Sequence, residues 1–220
     1  MKRILFLVIA LFLTGCQAPK YITKEEAFPK VYNEKPVSVL VVPAINNTTA
    51  ADAINLYSTT VAYPLAEAGY YVLSVPYTQK FLAREGISDG AQAAQVPLDK
   101  YKELFGVDTV LFVTLKQWDT NYNVLAGNVT VSAKIELFST QSKQRVWFYD
   151  STIVYDTSGN TGNGLLNLIA TAIQTANQDY VPVARAVNGQ IIHTMPVGKY
   201  HPRHGLDQKD VAVLERKVKQ

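Results

Sequence analysis

The chain has 220 residues, 48% of them hydrophobic, with 21 Lys and Arg against 18 Asp and Glu. That length and apolar content support one domain with its own core, and a net charge of +3 is too small to mark a protein that binds nucleic acid or another polyanion. A single cysteine excludes intrachain disulfides, redox pairs and zinc thiolate sites.

The first element is an export signal over residues 1–15. Lys2 and Arg3 supply a positive start, Ile4 to Leu13 an uninterrupted apolar run, and Gly15 the small residue at a processing site. The run is about half the roughly twenty residues that a helix needs to cross a bilayer. Leu13-Thr14-Gly15-Cys16 resembles the lipobox of bacterial lipoproteins, which implies cleavage before Cys16 and lipid on its sulfur and new amino group. An ordinary secretory signal with an incidental cysteine is the alternative, and the positions of charge, apolar run and cysteine argue against it. Loss of Lys2 and Arg3 leaves 19 basic residues against 18 acidic, so the mature chain is nearly neutral. Several acyl chains on one residue hold a protein stably on a membrane. Gln17 stands where an aspartate would retain an enteric lipoprotein in the inner membrane, which implies the outer membrane and a periplasmic domain.

Residues 16–36 read as the lipidated cysteine and a tether, because Pro19, Pro29, Pro36 and the run Lys24-Glu25-Glu26 interrupt any regular pattern. Twenty extended residues reach roughly 65 Å. Tyr21, Ile22, Phe28 and Val31 indicate that part of this stretch lies on the domain. A single α/β domain is expected over 37–198. It opens with a strand at Val37 to Val42, then a polar loop of Asn46, Asn47, Thr48 and Thr49 in which Thr49 and Asp52 have capping-box spacing. Ile54, Tyr57, Val61, Leu65 and Ala68 form one helical face, with Pro64 expected to kink or split the helix near Tyr63. A second strand is predicted at Tyr71 to Val75. Beyond it come a helix over Thr78 to Glu85, a loop or weak helix over Gly86 to Gln95, and a helix from Pro97 to Phe105 stopped by Gly106. Thr109 to Leu115 reads as the central strand and Asp119 to Asn123 as a turn.

The clearest alternation follows: Val129, Val131, Ala133, Ile135 and Leu137 alternate with polar residues. Ser139 to Lys143 is a polar turn, and Arg145 to Tyr155 completes an antiparallel hairpin. Trp147, Tyr149, Ile153 and Tyr155 share one face of that strand, with Val146, Phe148 and Val154 on the other, so cover by another segment or by a partner is expected. Gly159 to Gly164 breaks the sheet, and Leu165 to Tyr180 carries the spacing of an amphipathic helix running up to Pro182. The sum is a mixed sheet of about five strands with helices packed mainly on one face. The basic tail 199–220 places Val211, Leu214 and Val218 at helical spacing; a docking helix and a solvated terminus both remain open.

A lipobox, a short tether, strand-helix-strand, a long hairpin, a C-terminal helix and a closing Val197-Gly198-Lys199-Tyr200-His201-Pro202 together resemble a family of bacterial lipoproteins of unassigned function that includes a genome-derived neisserial antigen. The resemblance implies a fold like the TolB amino-terminal domain and the CsgG and LpoB periplasmic domains, and action through contact with other envelope proteins. It carries no reaction.

Candidate chemistry is sparse. His201 and His204 have the spacing of a metal clamp, but Pro202 argues against helical geometry and favours a surface turn, with His201 as a residue that fixes the tail. The glycine-rich Gly159 to Gly164 lacks a following Gly-Lys-Ser/Thr, and no nucleophile elbow, metalloprotease helix or Walker loop is present. No cofactor and no reaction are expected. The expected contact surfaces are Asn46, Asn47, Thr48 and Thr49, the aromatic face of Trp147, Tyr149 and Tyr155, and the tail with Tyr200 and His201, since aromatics anchor interfaces. Expected partners are the membrane through Cys16 and other envelope proteins, with a CsgG-like lipoprotein and a second copy of the chain among them. A glycan-binding module using the same aromatics is the second reading, and an envelope hydrolase the third.

Overall fold

Two kinds of strand pairing share one sheet. The computed structural model describes residues 20–123, 126–156 and 180–215. The parallel part begins with β2 (Ser38–Val41), continued after Pro43 by the short β3 (Ile45–Asn46), and crosses through helix α3 (Ala53–Glu67) to β4 (Tyr71–Val72). Three helices follow: α4 (Val75–Arg84), α5 (Gly90–Gln95) and α6 (Leu98–Phe105). The long strands are β5 (Thr109–Asn123), β6 (Ala126–Ser139) and β7 (Arg145–Asp156), and α7 (Tyr180–His193) comes after them. The strand order is β4-β2-β5-β6-β7, with β3 also on β5. β2 runs parallel to β4 and β5, while β5, β6 and β7 are antiparallel, so the expected mixed sheet forms.

The β-branched run around β2 is buried on both faces. Val39 and Val41 join Leu111, Val113 and the inner side of α3 in the larger core, whereas Leu40, Val42 and Val110 join Leu82, Ala93 and Tyr101 beneath α4, α5 and α6. The larger core continues along the hairpin to α7, so most helical cover lies on one side, and the second cluster covers only the parallel end. Between α3 and α7, the buried Tyr57 hydroxyl donates to Asn188, whose side-chain amide donates to Thr60 Oγ1 at 2.8 Å. This closed polar knot fixes the two helices against each other.

Several expectations change. Asp119 to Asn123 does not turn: β5 runs on to Asn123, and a register shift between Leu115 and Gln117 resets the alternation so that Leu115 and Trp118 both reach the core. Pro64 does not split α3, which is one helix from Ala53 to Glu67. The Thr49 and Asp52 capping box is not made, because Asp52 is the N-cap without a side-chain cap bond. The second strand stops at Val72, because Pro76 sits in the first turn of a helix that already starts at Val75. Gly90–Gln95 is a helix closed by a capping box of Asp89 and Gln92. α7 continues through Pro182 to His193, so Pro182 does not end a helix. Residues 165–179 of the predicted helix, and the glycine-rich turn before them, lie outside the described residues.

The part of the tether expected to lie on the domain does so, and the tail takes a different form from the expected helix or solvated end. Residues 20–35 are part of the domain: β1 (Tyr21–Thr23), α1 (Lys24–Ala27) and α2 (Pro29–Glu34) pack onto it, with Phe28 and Val31 buried in the larger core. The Phe28 ring lies 6.2 Å from that of Trp147. In the tail, Val211–Leu214 is strand β8, antiparallel to β1, with Ile22 opposite the buried Val213. A strand forms there, not a helix, because β1 supplies a partner for its backbone. Val218 lies outside the described residues.

Candidate interaction site

Two charged residues from the ends of the chain meet in the interior. Lys24 opens α1, held by a capping box of Thr23 and Glu26, and its ammonium donates to the Met195 carbonyl at 2.9 Å and to Asp207 Oδ2 at 3.3 Å. Their side chains are 6% and 0% exposed. The same Asp207 oxygen accepts the Val197 amide at 2.9 Å. Around this pair the Lys24 amide donates to the Asp210 carbonyl at 3.0 Å and the Glu25 amide to the Gln208 carbonyl at 3.1 Å, so the N-terminal segment is laced to the tail. Burial first, then the Asp207 carboxylate, pushes the Tyr32 phenol above its ordinary range.

Above the pair lies a groove of about 610 Å³ between the end of α3, the end of α7 and the tail, lined among others by Tyr63, Glu67, Ile192, His193, His201 and Arg203. Its closing wall is fixed by glycines. The Gly198 amide donates to the Ala68 carbonyl at 2.7 Å and the Tyr200 amide to the Gly69 carbonyl at 3.0 Å. Gly69 has φ +88°, and a Cβ there would lie 2.4 Å from the His201 nitrogen. Tyr70 adds a buried hydroxyl donating to the Pro196 carbonyl at 2.7 Å. On the outer rim, Arg203 grips both oxygens of Asp210 at 2.9 Å, and this hydrogen-bonded pair holds the Asp210 carboxyl below its ordinary value. Tyr63, which lines the groove, is 73% exposed, so aromatic surface is open there.

The expected contact residues scatter. Thr48 donates to Asn46 Oδ1 from its amide at 3.0 Å and its hydroxyl at 2.7 Å, and the Asn46 amide group donates to the Ala50 carbonyl at 2.8 Å. The loop therefore spends much of its polarity on its own turn, leaving Asn47 and Thr49 exposed. Trp147 corrects the aromatic-face expectation: it is wholly buried against Phe28 and cannot meet a partner. Tyr149 is half-buried against the same core, and the Tyr155 side chain lies outside the description. Of the two expected tail residues, His201 lines the groove while the exposed Tyr200 does not, and His201 Nδ1 accepts the Arg203 amide at 3.1 Å in the turn that Pro202 favours. Among the described residues, no three His, Cys, Asp or Glu side chains are grouped to hold a metal ion. The sequence reading missed Lys24, Asp207 and Tyr63. Tyr63 was legible, since the inward face through Tyr57, Val61 and Leu65 leaves it outside; the ion pair, 183 positions apart, had no local signal.

Another built feature clamps the sheet. The Asp108 carboxylate accepts the Val37 amide at 3.0 Å and the Ser38 amide at 3.1 Å, with the Ser38 hydroxyl and Lys102 also donating to it. Burial raises its pKa, but these donors outweigh that and leave it below the ordinary value.

Comparison with known proteins gives a consistent answer. A lipoprotein of Neisseria meningitidis serogroup B, NMB1124/NMB1162, is 31% identical over 176 residues, covering 79% of this chain and 80% of the relative. The crystal structure of lipoprotein GNA1162 from Neisseria meningitidis superposes with a TM-score of 0.53 at 31% identity, covering 64% of this chain and 96% of that one. The C-terminal domain of LpoB from Salmonella enterica aligns at a TM-score of 0.37 and 19% identity, over 59% of this chain and 97% of that one. No described helix is long and apolar enough to cross a membrane. The GNA1162-like family model matches residues 27–197, and the chain belongs to that lipoprotein family.

Proposed function

We propose that residues 1–15 are removed, that lipid on Cys16 anchors the mature chain in the outer membrane facing the periplasm, and that the domain is a non-enzymatic assembly component docking onto other envelope proteins. The lipobox and membership in a lipoprotein family support the anchor. The observation that carries the docking role is the groove itself, where the exposed Tyr63 ring is among the lining residues and the tail wall is held by backbone bonds to Ala68 and Gly69. Exposed aromatics on a rigid support are the usual anchors of protein interfaces. Two charge pairs sit there, Lys24 with Asp207 and Arg203 with Asp210. A CsgG-like lipoprotein and a second copy of the chain are the partners to look for first.

In-cell photo-crosslinking from position 63 tests this. The expected result is a discrete protein adduct that disappears in a Cys16→Ser chain; no adduct above that control contradicts the docking role. The glycan reading has lost its Trp147 platform to the core. Recovery of the purified domain on sacculi stripped of protein would favour it nonetheless.

A further inference from the structure

The start of β1 and the tip of the long hairpin stand at opposite ends of the domain. Resting on the proposed lipidation of Cys16, we infer that the end carrying β1, β8 and the 203–210 turns is the membrane-proximal end, held within tether reach of the phospholipid headgroups, and that the β5–β6 hairpin points away from the membrane.

Lys20 is tied to the fold through Glu215, so no more than Gln17, Ala18 and Pro19 separate Cys16 from it. Fully extended, the four steps from Cys16 to Lys20 cover about 14 Å, a fraction of the reach of a twenty-residue tether. Lys20 cannot swing free of the tail, because the Glu215 amide donates to its carbonyl at 2.9 Å and Tyr21 pairs with Leu214. The acyl chains therefore hold this end near the bilayer surface.

Topology fixes which end that is. In the parallel unit α3 returns toward the strand starts, so Ala68 and Gly69, to which Gly198 and Tyr200 bond, lie near the beginnings of β4 and β5. Phe28 packs on Trp147, which pairs with Leu137 and through it with Leu111, the third residue of β5. The N-terminal segment thus sits beside the start of β5. From Thr109 that strand runs to Asn123, roughly 45 Å away at about 3.3 Å per residue.

The surface at the anchored end suits a headgroup layer. Lys20 and Lys209 are exposed, Tyr21 is 55% exposed and Leu206 70%. Lysines and tyrosines reconcile an apolar stem or ring with a polar end at such an interface.

Acylation of Cys16 leaves an introduced cysteine as the only free thiol, which makes the test direct. Lipidated Lys209→Cys and Asn123→Cys chains are labelled with a fluorophore and reconstituted in phosphatidylcholine and phosphatidylglycerol vesicles carrying a headgroup spin-label quencher. The Lys209→Cys label is expected to lose more than half its emission and the Asn123→Cys label almost none. Equal quenching, or stronger quenching at 123, in a chain that floats with the vesicles overturns the orientation and leaves the anchor standing. A chain without acyl mass, or one that does not float, overturns both. Inserting a Gly-Ser linker of about twenty residues before Lys20, near the reach computed for a free tether, should abolish the difference between labels. Its persistence would overturn the short tether as the cause.

Discussion

Replacing Lys24 with methionine keeps most of the side-chain volume and removes the cation from a pocket where Asp207 is fully buried. The Asp207 carboxylate then keeps the Val197 amide at 2.9 Å but loses its counter-charge, and the Met195 carbonyl loses a donor. Breaking a buried pair from one side costs about 3–5 kcal/mol. The protein cannot evade that cost cheaply by peeling residues 20–35 away, because Phe28 and Val31, 3% and 4% exposed, would enter water at about 1.5–3 kcal/mol each. With a urea dependence of about 2 kcal/mol/M, the unfolding midpoint should fall by about 1.5–2.5 M. Equilibrium urea unfolding followed by tryptophan fluorescence measures this. A fall of less than about 0.5 M, or about 1 kcal/mol at the same slope, refutes the reasoning. Adding Asp207→Asn to Lys24→Met removes the stranded charge, so the double variant should be more stable than the sum of the single losses predicts.

Trp147→Ala should lose about 3–5 kcal/mol of unfolding free energy through a core cavity, and its loss of stability, not of any surface contact, should account for its phenotype. Gly69→Ala should cost about 2–5 kcal/mol from an unfavourable φ and a clash with His201, whereas Gly106→Ala, with φ +67° and nothing within 4 Å, should cost about 1–2; thermal unfolding of both separates the two effects. Asp108→Asn should cost about 1–2 kcal/mol at neutral pH through weakened hydrogen bonds to β2. Because the folded pKa of Asp108 is lowered, its carboxylate contribution is complete above the ordinary value of 3.8 and disappears as pH falls through the lower folded value. Urea titrations across that range should therefore show the wild-type advantage shrinking with acid, and an advantage that grows with acid would contradict the assignment.

Much of the fold was legible because it is periodic. Val39 to Val42, the inward face of α3 and Val131, Ala133, Ile135 and Leu137 of the alternating strand are buried as the apolar pattern requires, although Thr130 and Ser132 of the same strand are buried as well. Alternation says which side chains share a face, but not whether that face meets water. Trp147, Tyr149 and Ile153 do share one, and it turns inward because Phe28 from the supposed tether closes over Trp147. The extra residue near Leu115 changes the parity of β5, which no repeat could announce. The candidate site was less legible still. Its closing stretch was visible as a glycine followed by Tyr200 and His201, but the groove arises where α3, α7 and the tail converge, and the Lys24–Asp207 pair joins opposite ends of the chain. In Asn46 and Thr48 the sequence displays donors and acceptors without revealing that they satisfy one another.

Where the domain works is decided by what happens at Cys16. Intact-mass measurement of the chain extracted from native membranes should give a polypeptide that begins at Cys16, lacks residues 1–15 and carries the added mass of its acyl chains. A chain that retains its leader, or one with an unmodified thiol at Cys16, would contradict the account.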